Sequence, residues 1–181
     1  MKAFLLACIA TVMIASPFWP LQPNPLQGDP FIIVNKKTNE LAFIHDGAIQ
    51  YVKPVATGKR PASTPEGLFT IVVKAENPYY RKQNIPGGSP ANPLGTRWIG
   101  FDALQTDGRT YGIHGTNRPE TIGRHLSSGC IRMLNRDVEQ LYEQIPLGTK
   151  ILITSSEENF QQIAKRFHVI ESLQKGNAGE Q

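Results

Sequence analysis

The chain has 181 residues, enough for one domain with its own core. Its composition is that of an ordinary globular protein, and its 16 glycines and 14 prolines favour many turns and short strands over long helices. The net charge of +4 suits a polyanionic surface such as a cell wall or membrane, but the basic residues are too scattered to indicate a nucleic-acid-binding protein.

The first 29 residues do not have the pattern of a folded domain. Residues 1–20 combine Lys2 with a following apolar run, which predicts an export signal. The run is short for a membrane span and no clear cleavage site follows it, so a marginal membrane anchor stays open. Residues 21–29 are rich in proline and are predicted to form a linker. Because Cys8 lies in the apolar run, the mature domain holds one cysteine and can form no intrachain disulfide.

Residues 30–154 are predicted to form a mainly β domain, because short apolar runs alternate with turn residues. The predicted strands cover residues 31–34, 41–45, 48–55, 69–74, 97–104, 110–114 and 150–154. Asp46-Gly47 predicts a tight hairpin turn between two of them. Residues 75–95 form a long loop rich in Asn, Pro and Gly, and we expect this loop to border the functional cleft.

Two helices are predicted in the part of the chain that follows residue 114, one on each side of the strand over 150–154. Asn135-Arg136-Asp137 is typical of a helix cap, and the apolar residues that follow repeat at helical spacing until Pro146. Residues 155–174 predict an amphipathic helix whose apolar stripe packs against the sheet. Residues 175–181 are predicted to be a disordered tail.

The candidate chemistry lies between residues 111 and 133. Cys130 is a candidate nucleophile, and a thiol reacts as thiolate, so we expect a nearby base or positive charge to lower its pKa. His114 is the candidate base, although it is too distant in sequence to share a helix face with Cys130. Gly129 permits a sharp turn, and the N–H groups of Gly129 and Cys130 are candidate donors to an oxyanion.

Two alternatives stay open for the groups around His114. An imidazole base usually needs a third group to fix its tautomer, and Asp102 or Asp107 would provide a carboxylate for His114. A zinc site of His114, His125 and Cys130 is conceivable, but its spacing fits no common template. We therefore predict no metal and no cofactor.

The segment resembles the active-site motif of the L,D-transpeptidase family, the YkuD-type catalytic domain. The resemblance rests on a strand that ends in His114-Gly115-Thr116 and on the run from Ser127 to Arg132, SSGCIR. It extends upstream to Thr64-Pro65-Glu66-Gly67 and to residues 92–99, NPLGTRWI, and covers residues 30–154. Many members carry His where this chain has Ser128, so a second histidine is not available here.

The resemblance implies a role for several residues. The carbonyl of Gly115 orients His114, without placing negative charge beside the thiolate. Arg132 lowers the thiol pKa or holds a substrate carboxylate, while a structural ion pair with an acid such as Asp137 is its alternative. Three further candidates for substrate binding or thiolate stabilisation are Ser127, Ser128 and Arg97. For the two serines, a role in shaping the turn is favoured over a chemical role.

The resemblance also implies a fold and a reaction. The fold is a curved β-sandwich with one or two short helices. The reaction is acyl transfer on peptidoglycan stem peptides: Cys130 forms a thioacyl-enzyme, terminal D-alanine leaves, and an amine of another stem completes a 3→3 cross-link. An L,D-carboxypeptidase, in which water resolves the thioacyl-enzyme, and an inactive wall-binding domain are the alternatives. We expect an exported monomer in the cell envelope, with possible membrane association through residues 1–20 and no nucleic-acid partner.

Overall fold

Ten strands and two helices make up the part of the chain that a computed structural model describes, residues 25–170. The export signal predicted over 1–20, the start of the linker and the tail predicted over 175–181 lie outside these residues. The strands are β1 Phe31–Asn35, β2 Glu40–His45, β3 Ala48–Pro54, β4 Thr57–Gly58, β5 Gly67–Glu76, β6 Arg97–Phe101, β7 Tyr111–His114, β8 His125–Ser127, β9 Ile131–Arg132 and β10 Lys150–Thr154. The helices are α1 Asn135–Gln144 and α2 Phe160–Arg166. The mainly β class with two short helices is confirmed.

Eight strands form one curved sheet in the order β3-β2-β1-β10-β5-β6-β7-β9, while β4 and β8 form a separate parallel pair. The curvature arises in β5. Its first residues pair with β10, its later residues pair with β6, and the register shifts between Ile71 and Val73. The two halves of the sheet therefore wrap around a shared core, as expected for a sandwich-like fold.

The main core lies between the two halves of the sheet and α1. Fully buried Ile99, Ile113 and Ile131 from β6, β7 and β9 belong to it, together with Val138 and Leu141 of α1. A second core lies beneath α2, whose predicted apolar stripe packs against β1, β2 and β10. Within residues 25–170, no helix is both long and apolar enough to cross a membrane.

Three sequence predictions differ from the structure in detail. The strand predicted over 97–104 ends at Phe101, because Leu104 has φ 54° inside a short 3-10 turn. The helix predicted over 155–174 is shorter: a capping box at Asn159 starts α2, and His168, with φ 57°, follows its end. Asn135 is not a cap but the first residue of α1, after Leu134 as N-cap.

Candidate active site

The two halves of the predicted site meet where β7 and β9 pair in parallel. Ile113 lies beside Ile131, and His114 lies beside Arg132. Because side chains alternate along a strand, the two isoleucines face the core and His114 and Arg132 face away from it. Cys130, one residue before Ile131, falls on the same face as His114. Adjacent strands thus bring together two segments that are separated in sequence.

His114 is buried and held in one orientation. Its Nδ1 lies 2.6 Å from the carbonyl oxygen of Gly115. A carbonyl only accepts hydrogen bonds, so Nδ1 carries a proton and Nε2 of the neutral ring has a free lone pair. The pKa of His114 is lowered to about 4, chiefly by burial and to a smaller extent by the charge of Arg132, while the backbone of Gly115 and Leu94 opposes the shift in part. The imidazole is therefore neutral near pH 7, and a neutral imidazole can accept a proton.

Neither carboxylate proposed as an orienting group contacts His114. Asp102 accepts a hydrogen bond from the backbone N–H of Thr70 at 2.8 Å. Asp107 lies 3.7 Å from the guanidinium of Arg109. These alternatives are wrong, and the hydrogen bond to Gly115 is the one that the family resemblance implied.

Trp98 forms a platform under the His114 ring. The two rings are stacked, with centroids 5.6 Å apart and planes 16° apart. The indole Nε1 of Trp98 donates to the carbonyl of Gly108 at 2.9 Å, which holds the platform in place. Trp98 belongs to a motif segment noted in the sequence, but nothing there indicated that it would lie against the histidine.

The turn before Cys130 requires glycine at position 129. Gly129 has φ +146°, and a Cβ there would lie 2.5 Å from the carbonyl oxygen of Ser63. The hydroxyl of Thr64 donates to the carbonyl of Gly129 and accepts from the N–H of Gly58, both at 2.9 Å. The loop that contains Thr64 is fastened in turn by buried Lys36, which donates to the carbonyls of Pro61 and Thr64. The turn of residues 127–130 that presents Cys130, the nucleophile turn, is therefore held in place by the loop that contains Thr64.

One predicted oxyanion donor is already occupied. The N–H of Gly129 donates to the Oγ of buried Ser127 at 3.1 Å, so it does not point freely into the cleft. This bond gives Ser127 a structural role in the turn. The N–H of Cys130 has no hydrogen-bond partner among residues 25–170 and remains the candidate donor.

The thiol of Cys130 differs from the sequence expectation. Burial of the sulfur raises its pKa above the ordinary value, and the backbone of Gly112 and the charges of Arg132 and Lys82 lower it only in part. Its Sγ donates to the carbonyl of Thr110 at 3.5 Å. The expectation of a depressed pKa is wrong for this state, in which the thiol is protonated near neutral pH.

Arg132 is free of the structural ion pair considered as its alternative. Asp137 pairs instead with Lys53, at 3.3 Å, and with Arg136, at 3.8 Å. No carboxylate among the described residues lies within ion-pair distance of Arg132. Its charge acts on both His114 and Cys130, and it lowers the pKa of each.

Arg97 and Ser128 receive no support as substrate-binding residues. Arg97 lies on the face opposite Trp98, where its guanidinium stacks on Tyr142 and lies 3.8 Å from Glu76 and 3.9 Å from Glu143. It joins the sheet to α1, which corrects its predicted role. Ser128 is exposed, and its hydroxyl bonds to none of the residues that the structure describes.

The loop between β5 and β6 borders the cleft, as predicted. Buried Asn92 holds it together by donating to the carbonyls of Pro78 and Pro86. The backbone of Leu94 faces His114, and the charge of Lys82 acts on Cys130. A cavity of about 360 Å³ lies beside this loop, and its lining includes Tyr79, Arg81, Leu94, Trp98 and Arg109.

His125 has hydrogen-bond partners of its own, and His114 is not among them. Its Nδ1 lies 3.0 Å from the hydroxyl of Thr57, and its Nε2 lies 3.1 Å from the amide nitrogen of Asn39. Among residues 25–170, no three His, Cys, Asp or Glu side chains are grouped so that they could hold a metal ion.

Asn135 is a supporting residue that the sequence reasoning missed. Its Oδ1 accepts the N–H of Thr116 at 3.0 Å and packs directly against Gly115, where a Cβ would collide with it. Asn135 thus fixes the backbone whose carbonyl orients His114. Its place before a helix suggested a cap, and only the tertiary structure shows its real partner.

Known proteins that are similar to this chain bear L,D-transpeptidase names. The family described as the L,D-transpeptidase catalytic domain, YkuD, matches residues 29–153. YqjB of Bacillus subtilis (strain 168), which bears an L,D-transpeptidase name, is 62% identical over 152 residues, covering 84% of this chain and 86% of that protein. YkuD of the same strain is 34% identical over 134 residues, covering 74% of this chain and 71% of that protein.

The solved structures support the fold. The catalytic domain of the Enterococcus faecium L,D-transpeptidase has a TM-score of 0.52 and 24% identity, covering 70% of this chain and 98% of that domain. At this identity the likeness concerns the fold alone. The family match and the B. subtilis relatives carry the assignment, and the chain belongs to the L,D-transpeptidase catalytic-domain family.

Proposed function

We propose that this protein is an exported cysteine acyltransferase that forms 3→3 cross-links in peptidoglycan. The observation that carries the proposal is the pairing of β7 with β9, which places an oriented neutral imidazole and a cysteine on one sheet face. The family membership supplies the substrate class. Residues 1–20 are the proposed export signal, and the cell envelope is the proposed location.

In the first half-reaction, Cys130 Sγ attacks the carbonyl carbon of the bond that joins the diamino acid of a donor stem to its terminal D-alanine. The thiol proton passes to Nε2 of His114, whose Nδ1 stays bonded to Gly115. The N–H of Cys130 faces the developing oxyanion. Collapse breaks the C–N bond, Nε2 returns the proton to the leaving amine, and D-alanine departs.

In the second half-reaction, an amine of a neighbouring stem attacks the thioester carbonyl and gives its proton to Nε2. Collapse of the tetrahedral intermediate breaks the C–S bond and leaves the new amide, which is the cross-link, and the protonated imidazole returns its proton to the departing thiolate. Arg132 stabilises the thiolate character of the sulfur in both steps, since its charge lowers the thiol pKa. Because burial raises the thiol pKa, the resting sulfur keeps its proton until Nε2 of His114 accepts it.

One experiment separates the proposal from its two alternatives. The purified domain is incubated with a stem tetrapeptide, and the products are identified by mass spectrometry. A cross-linked dimer with free D-alanine supports the transpeptidase. Tripeptide and D-alanine without dimer would indicate an L,D-carboxypeptidase, while unchanged tetrapeptide and unmodified protein would indicate an inactive wall-binding domain.

A further inference from the structure

A second cavity, of about 370 Å³, lies on the side of the molecule formed by β4, the loop after it and the start of β8. Four cationic side chains line it: Lys36, Lys37, Lys59 and Arg60. His125 lines it as well, and no Asp or Glu is among its lining residues, although Glu66 and Glu157 pair with Lys36 and Lys37. This concentration of one sign of charge contrasts with the scattered charge of the sequence as a whole.

The four cations are not equivalent. Lys36 is buried and tied to Pro61, Thr64 and Glu66, so it is structural. Lys37 pairs with Glu157. Lys59 and Arg60, by contrast, are exposed and have no ion pair with any of residues 25–170. Neighbouring like charges repel each other, and an anion bound between them would relieve that repulsion.

The cavity is joined to the nucleophile turn through the backbone. Gly58 pairs with Ser127 in the parallel β4–β8 pair, and the N–H of Lys59 donates to the carbonyl of Ser127 at 3.0 Å. Ser127 in turn holds the N–H of Gly129, beside Cys130. The wall of the cavity and the turn that presents Cys130 are therefore neighbours in the fold.

We propose that Lys59 and Arg60 form a binding site for an oxyanionic group, a carboxylate or a phosphate, of a polymer in the cell envelope. The guanidinium of Arg60 offers two parallel N–H donors to such a group, and the ammonium of Lys59 adds a mobile charge. The polymer's identity as an envelope component rests on the proposed function. The site would hold an anionic chain while the stem peptide reacts at Cys130.

The test measures anion binding without catalysis. Tripolyphosphate and a triglutamate peptide are titrated calorimetrically into the Cys130→Ala protein at low ionic strength. We expect one site for at least one of these probes, weakened by added salt. The double variant Lys59→Gln/Arg60→Gln should bind about tenfold or more weakly, because it loses charge-assisted hydrogen bonds. Preference for tripolyphosphate identifies phosphate as the natural group, and preference for triglutamate identifies carboxylate.

A control variant removes the same charge elsewhere. Arg136→Gln/Lys165→Gln takes one cation from each helix and should bind both probes as the parent does. The site is refuted if neither probe binds, or if the two double variants are weakened equally. The outcome is independent of the proposed reaction. If the wild-type protein proves inactive while Cys130→Ala still binds anions, the proposed reaction is wrong and the anion site stands.

Discussion

The hydroxyl of Thr64 donates to the carbonyl of Gly129 at 2.9 Å, a bond between residues 65 positions apart in the chain. The same oxygen accepts the N–H of Gly58, and Thr64 is 1% exposed. One buried hydroxyl thus joins the β4 loop to the turn that presents Cys130. The geometry around Cys130 therefore depends on Thr64, which is far in sequence from the run SSGCIR that contains the cysteine.

Thr64→Val should therefore lower both stability and reactivity. The substitution keeps the shape but leaves the Gly58 N–H and the Gly129 carbonyl without their partner, a cost of about 1–3 kcal/mol. Urea unfolding measures the free energy, and the rate of Cys130 acylation measures the site. Thr149→Val, at another buried threonine whose hydroxyl bonds to Pro146, is the matched control. It should lose stability but keep its acylation rate, and an equal loss of rate would contradict the supporting role of Thr64.

His114 should make the protein less stable as the pH falls below neutrality. The unfolded histidine binds a proton near pH 6.5, whereas burial lowers the pKa of the folded one to about 4. Between these two pH values the unfolded state binds more protons than the folded state. The free energy of unfolding therefore decreases as the pH is lowered from 6.5 to 4, by on the order of 3 kcal/mol in total. Below about pH 4 this contribution is lost completely.

The measurement compares the free energy of unfolding of the wild type with that of His114→Gln from pH 7 to pH 4. The variant should lack this part of the slope, while any titration of Glu66, whose pKa is lowered by Ser155 and Lys36, remains in both proteins. Identical slopes would mean that His114 titrates normally in the folded state.

Arg132→Gln should raise the pKa of Cys130 and slow acylation several-fold without changing the fold. Arg132 lowers the thiol pKa and has no ion pair among the described residues, so its loss removes charge but no buried bond. The pH dependence of alkylation by iodoacetamide reports the thiol pKa directly. Arg136→Gln serves as the control. A large fall in the unfolding midpoint with an unchanged alkylation profile would assign Arg132 a structural role instead.

The local sequence predicted much of the framework. Residues 150–154 form β10 as expected, because an apolar β-branched run has turn residues before it. Asp46 and Gly47 form the predicted hairpin turn, with φ of 50° and 70°. His114 and Cys130 stood out because their motif matches a family, not because any local pattern showed that they would meet.

The remaining features depend on tertiary contacts. A depressed pKa of the Cys130 thiol was expected from the neighbouring residue types. Burial of the sulfur raises that pKa instead, and burial is not evident from the sequence. Arg97 was a candidate for substrate binding or thiolate stabilisation in a segment that matches the family, yet strand alternation turns it toward α1. Gly129 was expected to offer its N–H to an oxyanion, but the neighbouring Ser127 hydroxyl accepts it. Each error came from a partner or a face that no spacing rule determines.

Covalent capture at Cys130 tests the central proposal most directly. A carbapenem-type β-lactam, an electrophile that the family resemblance suggests, is incubated with the wild type, Cys130→Ala and Cys130→Ser, and the adduct is located by peptide mapping. We predict one acyl group per wild-type chain, attached to Cys130, and none on the Ala variant; the Ser variant should react very slowly, because a hydroxyl ionises far less readily than a thiol. An adduct at any other residue, or D-alanine release from a stem tetrapeptide by Cys130→Ala, would contradict the assignment of Cys130 as the nucleophile.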